Sequence, residues 1–241
     1  MSQRRVFLAT PAYTGKVSIT YMTSMVKTFR HVSNASLDVI YTKCDALVQK
    51  SRNYLVALAL KEGVSDIIFI DDDIEWEPEW ISKLLEYPVD VVSGIYRKKT
   101  DTAEEYPFLP IIKEDGSWYP PSVHTQTGLI KVFGVPTGFL RLSRRAMEAL
   151  WNASEPYTNG QLPDERAIFD VKIKDGVMYS EDFVMCQKLS QLGIDVWVDP
   201  RMTCAHEGFK SYQGDFGSWL VKHNNTSESK NAQREVRDDS S

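Results

Sequence analysis

The 241 residues carry 28 Lys plus Arg against 33 Asp plus Glu, a net charge of -5, so no global basic field exists to hold a polyanion without specificity. Hydrophobic residues make up 42% and charged residues 25%, the balance of a globular chain, which excludes a wholly disordered, collagenous or coiled-coil protein. At roughly 150 residues per domain the length allows one α/β unit or two small ones, and no stretch approaches the ~18 apolar residues of a membrane span or the apolar core of a secretory signal, so a cytoplasmic address is expected.

Residues 5–9 (RVFLA) form a β-prone run that Thr10-Pro11 is expected to end, because proline does not continue inside a sheet. A helix follows around Ile19 to Phe29. Residues 37–41 (LDVIY) alternate as a second strand, and 49–62 carry Tyr54, Leu55, Leu58 and Ala59 at helical spacing, closed by Gly63. Residues 66–70 (DIIFI) are a continuous apolar run behind one acid, the pattern of a central strand buried on both faces, and it stops abruptly at Asp71-Asp72-Asp73. Pro78 opens a helix through Leu85, and Val89 to Val92 read as another buried strand that Gly94 breaks. This alternation implies an α/β fold with a mostly parallel sheet flanked by helices. Such sheets bind ligands in the crevice outside the carboxyl ends of their strands.

From Tyr96 to Thr125 the pattern dissolves into prolines, charges and aromatics, an ordered excursion bordering the site and not a second domain. Regularity returns with Gly128 to Phe133 and Pro136 to Leu142, then a helix near Arg144 to Leu150 and another from Ser180 to Gly193. A last strand, Asp195 to Val198, leads to Pro200 and His206. Residues 224–241 contain only Ala232 and Val236 as apolar members, so a disordered polar tail is expected after one domain of residues 1–223.

Four segments carry candidate chemistry. If the third strand continues to Asp73, side chains alternate and Asp71 and Asp73 share one side while Asp72 faces the other. Two carboxylates about 4 Å apart repel by roughly 4 kcal/mol at an effective dielectric of ~20, and a divalent cation offsets that cost. Oxygen ligands favour magnesium or manganese over zinc. In Ser180-Glu181-Asp182 the serine is a good N-cap and the acids suit the helix dipole, a purely structural role. The functional role puts Asp182 or Glu181 at the crevice mouth as a base. A neutral His206 would complete a metal shell begun by the aspartates, although a lone histidine is more often structural. The rigid fork of Arg52 suits phosphate or a pyrimidine edge. The cationic run Arg97-Lys98-Lys99 reads as a solvated loop or, alternatively, as a local basic patch that tracks the phosphates of a DNA acceptor. Cys44, Cys186 and Cys204, odd in number and without a CxxC pair, suggest neither a disulfide framework nor a zinc knuckle.

Together the segments resemble the GT-A class of nucleotide-sugar glycosyltransferases, in particular the small family-2-like enzymes of bacteria and their viruses. The matching pieces are Thr10-Pro11-Ala12-Tyr13, Arg52-Asn53, IDDDIEW at 70–76, SGIYRKK at 93–99, PTGFLRLSR at 136–144, YSEDFVMC at 179–186 and WVDPRMTCAHEG at 197–208. The resemblance implies a single GT-A (Rossmann-like) domain that moves a hexosyl or pentosyl group from a nucleotide-diphosphate sugar to an acceptor hydroxyl. Asp71 would face the ribose or the metal, with Asp72 beside it. Asp73 and His206 would hold Mn2+ or Mg2+, and Thr10, Pro11, Tyr13 and Arg52 would line the nucleotide pocket. Gly138 and Phe139 would border the donor sugar, Lys210 or Tyr212 would meet phosphate, and Asp182 would be the base for an inverting attack. A retaining transferase of the same fold and a non-catalytic nucleotide- or glycan-binding module are the alternatives. The acceptors expected are a glycan, a lipid-linked glycan or a modified DNA base. Phosphoryl transfer of the haloacid-dehalogenase type is disfavoured, because its acidic motif usually ends the first strand and is followed by Gly-Thr or Thr-Val, not Ile74-Glu75-Trp76.

Overall fold

The computed structural model describes residues 4–113, 117–158 and 162–223. In chain order its elements are β1 (Arg5–Ala12), α1 (Ile19–His31), β2 (Ser36–Lys43), α2 (Val48–Lys61), β3 (Asp66–Ile70), β4 (Ile74–Glu75), α3 (Pro78–Glu86), β5 (Val91–Tyr96), β6 (Ser122–Val123), β7 (Ile130–Val132), β8 (Phe139–Ser143), α4 (Arg144–Ala153), β9 (Pro156–Tyr157), β10 (Glu165–Arg166), β11 (Lys172–Lys174), β12 (Val177–Tyr179), α5 (Glu181–Gln191), β13 (Val196–Glu207) and β14 (Ser211–Tyr212). Residues 216–223 are helical as well.

The main sheet has the order β2-β1-β3-β8-β5-β13-β7-β6. β1 pairs in parallel with β2 and β3, and β5 with β13, while β8 lies antiparallel between β3 and β5. It follows that β1, β2, β3, β5 and β13 all point one way, with β8 reversed among them, the mostly parallel α/β sheet expected. Strand side chains alternate between two cores. Phe7, Ala9, Ile67 and Phe69 join α2, α4 and α5 on one face, and Val6, Leu8, Ile68 and Ile70 join α1 and α3 on the other. That double burial, worth roughly 1.5–3 kcal/mol per large side chain, is why the third strand is apolar without interruption. Among the described residues no helix is long and apolar enough to cross a membrane.

Four local expectations are corrected. β1 runs through Pro11 to Ala12, because its ladder with β3 ends at Ala9↔Phe69 while that with β2 continues to Ala12↔Lys43. Beyond Ala9 it is paired on one side only, an edge-like place that proline tolerates. Gly94 lies inside β5 and does not end it. A Cβ there would come within 2.8 Å of Phe139 Cδ1 and 3.1 Å of the Met202 carbonyl, so the glycine permits close approach of neighbouring strands. The last strand does not stop at Val198 but continues to Glu207 through a register shift between Val198 and Thr203, which accommodates Pro200. His206 therefore sits in a strand. Finally, β3 stops at Ile70, and the three aspartates form a turn closed by Ile74 N–H donating to the Asp71 carbonyl at 3.2 Å.

The described residues of the excursion after β5 pack against the body of the protein. Tyr106, Phe108 and Trp118 pack edge-on with one another or with Phe216 and Trp219 of the 216–223 helix, and Tyr106 and Phe108 belong to the same core as α2 and α5. The polar tail expected at 224–241 lies outside the described residues.

At the opposite end of β3, Asp66 is 1% exposed and accepts from Arg4 at 2.7 and 2.9 Å and from Arg141 Nε at 2.7 Å. Burial pushes the Arg141 pKa down and the Asp66 charge opposes it. Asp66→Ala leaves one buried guanidinium and one half-buried guanidinium without their counter-ion. It should cost about 3–5 kcal/mol in urea unfolding, against under ~1 kcal/mol for Asp38→Ala at the exposed Arg5 pair.

Candidate active site

The carboxyl ends of β1, β3, β5 and β13 meet at one edge, together with the first turn of α5. Arg52 reaches this edge from α2, its side chain only 6% exposed, and donates to Asp71 Oδ1 at 3.0 Å, to Asp71 Oδ2 at 3.3 Å and to Glu181 Oε1. Burial lowers the Arg52 pKa, but the Asp71 and Glu181 charges outweigh it and raise the pKa above its usual value. The neighbouring Asn53 clamps the approach to α5: its amide donates to the Phe169 carbonyl at 3.0 Å and its carbonyl accepts from Phe169 N–H at 2.8 Å.

Tyr96 ends β5 beside this group, and its phenol is pushed well up by burial first and by Asp71 next. Gly138, preceding the reversed strand β8, completes the wall. Its carbonyl accepts from Asp71 N–H at 3.1 Å, and a Cβ there would lie 2.7 Å from Asp71 Oδ2 and 2.8 Å from the Tyr96 hydroxyl. Only glycine fits without displacing one of them.

Asp73 and His206 form a second group. β4 pairs with β13 so that His206 stands opposite Ile74, and Glu207 N–H donates to the Asp73 carbonyl at 2.8 Å. The Asp73 Oδ2 atom lies 3.5 Å from His206 Nε2 and 2.5 Å from Lys99 Nζ. Burial pushes the Asp73 carboxyl up, and hydrogen bonds from His206 and Lys99 overcome this to leave its pKa lowered. Asp72 goes the other way, to about 6, through burial and the charges of Asp73 and Asp71, with Lys99 opposing.

The donor chemistry of this pair fits a divalent cation. His206 Nδ1 lies 3.0 Å from the Arg97 carbonyl, and its other ring nitrogen, Nε2, faces the Asp73 carboxylate oxygen. A carboxylate oxygen and an imidazole nitrogen are both donor types that a divalent cation accepts, and a carbonyl partner on the other ring nitrogen is the usual support of a metal-bound imidazole. Among the described residues no group of three or more His, Cys, Asp and Glu is placed to hold a metal. The pair would therefore supply two positions and leave the others to ligand oxygens and water. Asp71, expected beside them, has both of its carboxylate oxygens hydrogen-bonded by Arg52.

The remaining predicted residues divide. Pro11 and Tyr13 line a cleft of about 70 Å3 with Thr42, Lys43 and Ser51 at the carboxyl ends of β1 and β2. Thr10 is 2% exposed and its hydroxyl bonds the Tyr21 hydroxyl at 2.6 Å. The Phe139 ring is fully buried against Trp76 and Trp80, so it supports the site from beneath. Lys210 pairs with Asp101 at 2.5 Å and lies over the Tyr212 ring. Asp182 accepts from Ser180 Oγ and from Phe183 N–H at 2.9 Å, both at Oδ1. Sequence reasoning gave no site role to Tyr96 and treated Lys99 as part of a solvated loop. Their signal was position, since Tyr96 ends a buried strand and Lys99 follows it.

No protein-family model matches the chain and no curated protein matches its sequence. Among solved structures it is similar to A197 from STIV, with a TM-score of 0.52 and 15% identity over 85% of this chain and 86% of that one. It is also similar to GalNAc-T7, crystallised with UDP, GalNAc and Mn2+, at a TM-score of 0.45 and 11% identity over 85% of this chain and 44% of that one. A third is a glycosyltransferase involved in the glycosylation of the major capsid of PBCV-1, at a TM-score of 0.32 and 13% identity over 66% and 69% of the two chains. At such an identity the likeness to A197 from STIV is one of fold alone, and the last two superpositions carry no argument.

The crowding at Gly138 is directly testable. Gly138→Ala should lower stability by ~1–3 kcal/mol in urea unfolding, the scale of overpacking, whereas wild-type stability would show that Asp71 and Tyr96 are not held as described.

Proposed function

We propose that the chain is a metal-dependent glycosyltransferase that moves a sugar from a nucleoside-diphosphate sugar to an acceptor hydroxyl, with Asp182 as general base and inversion at the anomeric carbon. The observation that carries this reading is the facing of Asp73 Oδ2 and His206 Nε2 at 3.5 Å. It lies on the same sheet edge as the Arg52 ion pairs and the acidic first turn of α5. A divalent ion, Mn2+ or Mg2+, held by Asp73 and His206 would neutralise charge that builds on a departing diphosphate.

The other roles belong to the chain's own groups. Tyr13, 62% exposed, offers its ring to a nucleobase at the cleft that Pro11 shares. Asp71 is held rigid by Arg52 and packs closely against Gly138, whose missing side chain leaves just the space that Asp71 and Tyr96 fill. Between the two acids of α5, Asp182 is the better base. Glu181 is neutralised by Arg52, whereas both hydrogen bonds that Asp182 accepts among the described residues fall on Oδ1, so Oδ2 keeps its lone pairs for an acceptor proton. Direct attack by a hydroxyl activated in this way inverts the anomeric centre.

A panel of nucleotide sugars assayed for hydrolysis and transfer, with and without Mn2+, tests the reading. Metal-dependent turnover of at least one donor is expected. Asp182→Asn should retain nucleoside-diphosphate affinity and lose ~100-fold or more in transfer, the usual scale of general acid-base catalysis. Near-normal transfer by that variant would remove Asp182 from the mechanism, and binding without any turnover by the wild type would favour a nucleotide- or glycan-binding module.

A further inference from the structure

The Asp73 oxygen that faces His206 is the same atom that Lys99 holds at 2.5 Å. The backbone around Lys99 is anchored. Lys98 N–H donates to the Glu105 carbonyl at 2.8 Å, Thr100 N–H donates to the Lys98 carbonyl at 2.8 Å, and Arg97 reaches the carbonyls of Thr100 at 3.2 Å and Ala103 at 3.4 Å. The Lys99 stem has a prepared lane across Gly208. A Cβ at that glycine would stand 3.2 Å from Lys99 Cδ and 3.3 Å from the Tyr212 ring, so any other residue would crowd the stem. The side chain itself remains 34% exposed, with room to turn on its flexible four-carbon stem.

A carboxylate oxygen occupied by an ammonium group cannot offer the same lone pairs to a divalent ion without bringing like charges together. Lys99 must release Asp73 before Asp73 can act as a metal donor. The released ammonium stays tethered beside the pair, near Asp72, whose charge it already feels, and near Arg97, which repels it, while Lys98 is bound to Glu105 and Asp101 to Lys210. A ligand that brings its own negative charge to this place gives the ammonium a new partner.

We propose that Lys99 is an internal competitor for the metal position, holding Asp73 in the free protein and passing to a nucleotide phosphate when metal and nucleotide bind together. The device makes bare cations poor ligands and couples the two bindings. It rests on the reading of Asp73 and His206 as metal donors.

Calorimetric titration of Mn2+ into the wild type, Lys99→Met and Lys99→Arg tests it, each alone and with saturating uridine, cytidine, adenosine or guanosine diphosphate. Lys99→Met should bind Mn2+ alone ~10-fold more tightly than the wild type, a gain that structural damage would not produce. The factor by which the most effective diphosphate strengthens Mn2+ binding should fall ~10-fold in the same variant, within the ordinary range of coupling between sites. Lys99→Arg, which keeps the charge, should retain most of the wild-type coupling. Weaker Mn2+ binding by Lys99→Met, or an equal coupling factor in the wild type and Lys99→Met, overturns the proposal and leaves the metal reading standing. Absence of Mn2+ binding by every protein, with and without diphosphate, overturns both.

Discussion

The buried guanidinium of Arg52 is the constraint on which the rest of the site depends. It lies between an acid at the end of β3 and an acid at the start of α5, elements separated by more than a hundred residues of chain. A charge this deeply buried is costly unless it is paired and hydrogen-bonded. Here two carboxylates supply the compensation, and in doing so they fix the acidic turn after β3 relative to the first turn of α5. Neither acid would have a defined place without the arginine, because aspartates in a turn and glutamates at a helix start ordinarily point to water. Tyr96 and Gly138 enclose the arrangement on the other side, the tyrosine by burial and the glycine by having no side chain.

The sheet explains why these pieces meet. Strands pointing in a common direction deliver their carboxyl ends to one edge, the usual binding place in open α/β sheets. The reversed strand β8 then brings the backbone of Gly138 against Asp71 from the opposite direction. A second convergence comes from β13, whose shift around Pro200 extends it far enough to pair with β4 and set His206 beside the acidic turn. The two groups are chemically distinct. Around Arg52 the charges are mutually satisfied and rigid, whereas Asp73 and His206 set a carboxylate oxygen and an imidazole nitrogen 3.5 Å apart, with Lys99 on the same oxygen. A metal-assisted transfer needs both a fixed frame and an exchangeable cation position.

Much of this was legible in the residues themselves. The apolar body of the third strand was readable, because burial on both faces leaves an uninterrupted apolar run that few arrangements besides a central strand produce at this length. The helices around Ile19, Gln49, Pro78 and Ser180 carried their own periodicity or start signals. Pro11 and Gly94 misled as terminators because local propensity was overruled by tertiary context: one strand lost a neighbour and another needed close approach. The acids were visible as a cluster, but their partners were not. Whether an aspartate after a strand meets an arginine, a lysine or a histidine depends on segments far away in sequence. For the same reason Tyr96 and Lys99 looked like ordinary members of an aromatic and cationic stretch, and the common side expected for Asp71 and Asp73 gave way to two separate sets of contacts once the strand ended at Ile70.

The central claim is that the His206 imidazole and the Asp73 carboxylate jointly hold a divalent ion presented to a diphosphate. Pulsed electron paramagnetic resonance of Mn2+ bound in the presence of a nucleoside diphosphate tests it most directly. The account predicts a nitrogen hyperfine coupling from one imidazole together with phosphorus couplings from the diphosphate, the nitrogen signal vanishing in His206→Ala. Bound Mn2+ that shows phosphorus couplings and no imidazole nitrogen would contradict it.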